Sequence, residues 1–135
     1  MTLEGQLEPG YSIAFDRPNG LMRIAVRGLW TMQTVAAFIG EGLAATAAAH
    51  RTHPIYDTLV DARDFPVQAA QVTDGLAEIF RVGMESNAGR TAIVSQSHLG
   101  KMQGDRLNPN PRQKIFLAEA DAIAWLAEPQ LPKTD

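Results

Sequence analysis

Cysteine is missing from the chain altogether. That excludes disulfides, thiol chemistry and cysteine-based zinc sites. A basic run is missing as well, and the formal charge is −3, so nothing electrostatic points to nucleic acid as a partner. No apolar stretch is long enough for a membrane span. The longest, VAAFIGEGLAATAAA, is interrupted by Glu41 and by Gly40 and Gly42, and the chain is expected not to span a membrane. The opening, MTLEGQLEPG, has neither the basic region nor the apolar core of a secretory leader. Internal repeats and low-complexity tracts are also lacking. What is present is ordinary for a globular protein: 135 residues, 45% hydrophobic and 20% charged. These values fit one domain. A soluble, cytoplasmic protein without a cofactor is the expectation.

Periodicity then gives the elements. YSIAFD, residues 11–16, alternates apolar and polar positions, as does LMRIAVRG over 21–28, and alternation is the mark of a strand. The intervening RPNG is turn chemistry, so the chain opens with a hairpin. Thr31 is placed to cap a helix reaching about residue 49. Met32, Val35, Ala36, Ile39, Leu43 and Ala47 fall on one stripe of that helix. Gly40 and Gly42 weaken its interior, and close approach to the sheet would explain them. A third strand is expected over 54–60. Pro66 bars Phe65 from helical geometry, and a second helix follows over 67–87, with Val72, Leu76, Ile79, Phe80 and Met84 as its apolar stripe. Asn87-Ala88-Gly89 reads as its stop. A strand over 90–95, a short helix over 97–107, a strand over 112–117 and a helix over 119–128 complete the pattern. Residues 1–10 read as a flexible lead-in and 129–135 as a flexible tail. Strands separated by helices imply parallel neighbours joined by right-handed crossovers. The fold class is α/β, a five-stranded mixed sheet with about four helices, mainly on one face, and a partly solvated second face.

Four short motifs in this order resemble a known family. The hairpin leads into Gly28-x-Trp30-Thr31. A strand reads L-V-D-A-R over 59–63, another A-I-V-S over 92–95, and the last strand and helix run I-F through A-D-A-I-A-W-L over 115–126. Together they are similar to the SpoIIAA-like, STAS-related family of small bacterial proteins, over roughly residues 11–128. The resemblance implies a βα-superhelix with an antiparallel first strand at one edge. It also implies a non-enzymatic binding or regulatory module, taking an apolar small molecule, a lipid or a protein partner. Family members include anti-sigma factor antagonists, switched by phosphorylation of a serine at the start of the helix after the third strand. Here that region is DARDFPVQAAQVTDG, which has no serine, and Thr73 sits inside the expected helix. An antagonist-like regulator without the usual serine is therefore the alternative.

In such a sheet, ligands usually sit at the C-terminal strand ends. Gly28, Asp61, Ser95 and Leu117 arrive there with the helix starts at Thr31, Val67, Ser97 and Glu119. Asp61 and Asp64 could form an acid–base pair, but that work needs environments that push two pKa values apart. Beside Arg63 both are expected to stay ionised, meeting water and steadying the next helix. His50 and His53 lack the further ligands that zinc requires, and suit a helix C-terminus instead. Ser95-Gln96-Ser97-His98 with Lys101 could hold an anion at a helix start, with simple capping by Ser97 as the plainer reading. Ser97 and His98 as nucleophile and base would point about 100° apart on a helix, and no G-x-S-x-G elbow surrounds either serine. A hydrolase using Ser97, His98 or Asp61 is thus the least favoured class. Trp30 and Trp125 read as core or rim aromatics. Arg23 and Arg27 share the solvated sheet face, and the free hairpin edge could pair two copies into a homodimer. The candidate ligand-binding set is Trp30, Asp61, Arg63, Ser95, Ser97, His98 and Lys101, with no catalytic and no metal set.

Overall fold

Asp16 and Asn19 close the first hairpin, the Asn19 amide donating to the Asp16 carboxylate at 2.7 Å. A computed structural model, which describes residues 8–96 and 111–129, places β1 at Gly10–Asp16 and β2 at Leu21–Arg27, paired antiparallel. Then come β3 (Asp57–Asp64), β4 (Thr91–Val94) and β5 (Gln113–Phe116), each parallel to its predecessor. The sheet order is β1-β2-β3-β4-β5, with β1 at one edge. Helix α1 (Met32–His50) links β2 to β3, α2 (Ala70–Ser86) links β3 to β4, and α3 (Glu119–Ala127) follows β5. The expected α/β class and mixed sheet are both present. Three helices lie among the described residues, and the short helix expected over 97–107 falls outside them. Among the described residues no helix is long and apolar enough to cross a membrane.

Alternation along β3 sorts the core into two layers. Val60 faces α1 and α2, where it packs with Val26, Val35, Phe38, Val72 and Leu76. Leu59 faces the other way, with Ala92, Val94, Phe116 and Ala122 of α3. Burying each large apolar side chain stabilises the fold by about 1.5–3 kcal/mol. Because α3 packs on β3, β4 and β5, the second face is covered there. Over the hairpin it stays in water, with Ser12, Ala14, Arg23 and Arg27 exposed.

Local chemistry sets the boundaries. The Thr31 hydroxyl accepts from the Thr34 N–H at 3.2 Å, the cap expected there. Gly28 turns β2 toward α1 with φ 75°, a left-handed conformation that suits a residue without Cβ. Four expectations need correction. Helix α2 begins at Ala70, not at 67, because Gln68 is tied down elsewhere: its amide donates to the Gly28 and Pro66 carbonyls at 2.9 and 2.8 Å. Strand β3 begins at Asp57, not at 54, and runs on to Asp64. Ile55 is left 58% exposed. In α1 the buried residues are Val35, Phe38 and Ala49, so the apolar stripe is rotated from the one read in the sequence. Nor do Gly40 and Gly42 approach the sheet: a Cβ on either would meet nothing within 4 Å.

The junction between α2 and β4 is held by side chains bonded to backbone. Asn87, buried, accepts from the Tyr56 N–H at 3.2 Å and donates to the Tyr56 carbonyl at 2.7 Å, taking the place of a strand neighbour. At Gly89 a Cβ would lie 1.7 Å from the Tyr56 carbonyl oxygen, so only glycine fits. The Arg112 guanidinium donates to the carbonyls of Met84, Asn87 and Gly89 at 2.8–3.0 Å. Arg90 donates likewise to the carbonyls of Trp125 at 3.0 Å and Leu126 at 2.9 Å, and lies over the Trp125 ring. Both cations thus meet the negative ends of helices, α2 and α3 respectively.

Candidate functional site

The C-terminal strand ends collect part of the candidate set. Asp61 and Arg63 form a two-point ion pair: the Arg63 Nε donates to Asp61 Oδ1 at 2.9 Å and its Nη2 to Oδ2 at 2.8 Å. Arg63 Nη2 also reaches Glu119 Oε1 at 3.3 Å, at the start of α3, where a carboxylate suits the helix dipole. The hydrogen bond from Arg63 holds the Asp61 carboxyl below the usual aspartate range, against a smaller opposing effect of burial. The bond to Asp61 in turn raises the Arg63 pKa. Asp61 is therefore a bound carboxylate, the opposite of a general acid, whose pKa must be raised. Asp64 is exposed, and its carbonyl accepts from the Gly28 N–H at 3.1 Å.

Trp30 is buried in the α1–α2 layer. Its indole N–H donates to the Arg27 carbonyl at 3.0 Å, and its backbone N–H donates to the Gln68 side chain at 2.8 Å. Ser95 follows β4 and is half-buried, its N–H donating to the Phe116 carbonyl at 2.8 Å. The structure thus brings Asp61, Arg63 and Glu119 together and sets Trp30 in the core. Ser97, His98 and Lys101 lie outside the described residues. The two histidines have separate surroundings: His50 packs on Tyr56, while His53 packs on Phe15 and bonds the Thr52 hydroxyl at 2.8 Å. Among the described residues no group of three or more His, Asp or Glu is placed to hold a metal.

A different feature has the dimensions of a ligand site. Helices α1 and α2 touch where a Cβ on Gly75 would lie 3.2 Å from Val35 Cγ1, and further along they part, since a Cβ on Gly42 or Gly83 would meet nothing within 4 Å. Between them opens a cleft of about 490 Å³, within the range of about 300–1,000 Å³ usual for small-molecule sites. Its floor comes from the first halves of β2, β3 and β4, with Met22, Thr58 and Thr91, and from Tyr56 just before β3. Its α1 wall includes Met32, Ile39 and Leu43, and its α2 wall Ile79 and Val82. Leu43 is 63% exposed, which for a leucine on a cleft wall is open apolar surface.

None of the candidate residues read from the sequence and described in the structure lines this cleft. The signal for it was present but read as burial: Met32, Ile39 and Leu43 do share one side of α1, but they face a gap. Gly42 on the same helix keeps that gap open, and Phe38, passed over in the sequence, carries the packing. Gln68 was missed too, because its partners Gly28 and Trp30 lie far away in the sequence.

No family model matches the chain, and no curated protein matches it. Among solved structures, an uncharacterized protein from the DUF3478 family with a SpoIIAA-like fold, from Shewanella loihica PV-4, is similar with a TM-score of 0.70 and 19% identity, over 89% of this chain and 96% of that one. An anti-sigma factor antagonist from Mycobacterium paratuberculosis is similar with a TM-score of 0.58 and 13% identity, over 88% of this chain and 96% of that one. The likeness is one of fold. This chain has the SpoIIAA-like fold that its motifs and element order resemble.

Proposed function

We propose that this protein is a non-enzymatic binding module of the SpoIIAA-like kind, which takes an apolar small molecule or lipid into the cleft between α1 and α2. The cleft carries this reading, with its volume of about 490 Å³ and its largely apolar lining. A concave apolar site with a few polar groups is the usual form of a small-molecule site. The two-point pairing of Asp61 with Arg63 supports the non-enzymatic part, since it keeps the Asp61 carboxyl ionised and so unsuited to act as a general acid. Native mass spectrometry of the purified protein tests the proposal. The expected result is a co-purifying small mass that is lost in Gly42→Phe, whose added ring enters the open space beside α1. Identical spectra for the two proteins, with no small mass in either, would refute it.

A second reading is an antagonist-like regulator that works by docking to a protein partner. The fold shared with an anti-sigma factor antagonist supports it more directly than it supports lipid binding. The usual serine is lacking at the start of α2, where residues 65–70 read FPVQAA and Ala69 is a cap without a side-chain hydrogen bond; the nearest hydroxyl in the sequence is that of Thr73, exposed in the first turn. Such a regulator would act by docking, without the usual serine switch. In the same experiment, a chain free of small ligand but held in a protein complex favours this reading over the first.

A further inference from the structure

The lining of the cleft constrains the charge of its occupant. Among the described residues that line it, none is lysine, arginine or histidine, and the one acid is Glu78. Glu78 is exposed and already bonded by Arg81, Nε to Oε2 at 3.0 Å. The polar groups deeper in are neutral: the Asn87 amide, already bonded to the Tyr56 backbone, and hydroxyls. Thr58 and Thr91 are neighbours in the register of β3 and β4, and both are buried. Among the described residues the Thr91 hydroxyl has only the Met84 sulfur as acceptor, at 3.4 Å, and a thioether is a weak one. The Tyr56 hydroxyl on the same floor makes one long bond, 3.4 Å, to Thr46.

We propose that the cleft selects an uncharged, elongated apolar molecule bearing one hydroxyl or carbonyl group, which bonds Thr58 and Thr91 at the floor. This rests on the reading that the cleft takes an apolar ligand, and it adds the chemistry of that ligand. The walls run along α1 from Met32 to Thr46 and along α2 from Gly75 to Ser86, which sets the elongated shape. An ionised carboxylate entering there would lose its water and find no counter-charge. A neutral hydroxyl exchanges its water for the threonine hydroxyls. A fatty alcohol, an ester or an isoprenoid alcohol fits this chemistry, and a free fatty acid does not.

The test uses the full chain loaded with Nile red, a neutral fluorophore that brightens in apolar surroundings. 1-Decanol and decanoate then compete for the site in mildly alkaline buffer. Decanol is expected to displace the dye at a concentration at least about tenfold lower than decanoate, because only decanoate brings an unpaired charge. Changing Thr58→Val and Thr91→Val together keeps the β-branched shape and is expected to weaken decanol by about tenfold, the scale of one hydrogen bond. Ile39→Lys, on the exposed wall, supplies the missing cation and is expected to bring decanoate close to decanol. Decanoate matching decanol in the unaltered protein overturns the charge selection, and decanol binding undiminished in the double valine variant overturns the role of the threonines. Absence of any Nile red signal would instead remove the ligand reading beneath both.

Discussion

At the first ends of the parallel strands, Asn87, Arg90 and Arg112 make their hydrogen bonds largely out of water. At the last ends, Asp61, Arg63 and Glu119 make theirs largely in it, with the Arg63 and Asp61 side chains 39% and 36% exposed. The distances are similar, yet the consequences differ. A buried donor or acceptor that loses its partner carries the whole desolvation penalty, about 1–3 kcal/mol. An exposed ion pair is screened and is worth about 0–1 kcal/mol. The dry end is also where the cleft has its floor: Tyr56, Met84, Asn87 and Thr91 line the cleft and take part in the bonds at or beside the α2–β4 junction. A floor fixed in this way can hold two helices apart without collapsing between them. Rigid walls lower the ordering cost of binding.

The largest effect expected from this difference is at Gly89. Its Cα lies so near the Tyr56 carbonyl that Gly89→Ala must push β3 and β4 apart at their start. A loss of about 3 kcal/mol is expected in urea unfolding, at the upper end for overpacking. A loss well under 1 kcal/mol would mean that the dry end yields, and the contrast between the two ends would fail. Next in size is Asn87→Ala. It leaves the Tyr56 N–H and carbonyl without their side-chain partner, and about 2 kcal/mol is expected to be lost. An unchanged midpoint would show that water enters the junction and replaces the amide.

The same contrast explains what could be read from the sequence. The alternation of Ile13, Phe15, Met22 and Ile24, the Thr31 cap and the helix-breaking effect of Pro66 are local rules, acting over a few residues, and they gave the element order. Arg90, Arg112 and Gln68 act on backbone groups of other elements, often more than 20 residues away, and no local pattern marks them. The cleft was hidden for a further reason. A helix stripe such as Met32, Ile39 and Leu43 looks the same whether it meets a neighbouring helix or an opening beside one, and only the separation of α1 from α2 decides between them. Arg63, two residues from Asp61 on one strand, is near enough for the ionisation of Asp61 to be expected from the sequence, but not the two-point grip itself. That Glu119 would join them required knowing that α3 starts beside β3.

The wet end gives the smallest effect and the sharpest pH signature. Asp61→Asn removes the carboxylate that Arg63 grips while nearly keeping its shape. At about pH 7 the wild type is expected to be more stable by less than about 1 kcal/mol, since solvent screens the pair. The folded-state pKa of Asp61 lies below its unfolded value, so the pair stabilises the fold above the ordinary aspartate range. That contribution fades as the pH falls through the folded-state pKa and Asp61 takes up a proton. The wild type and the variant should therefore converge in strong acid, and added salt should narrow the gap at neutral pH. Neither condition should bring Asn87→Ala up to the wild type, because Asn87 carries no charge. An Asp61→Asn loss as large as that of Asn87→Ala, and insensitive to both pH and salt, would place the ion pair in a dry setting and remove the distinction between the two ends of the sheet.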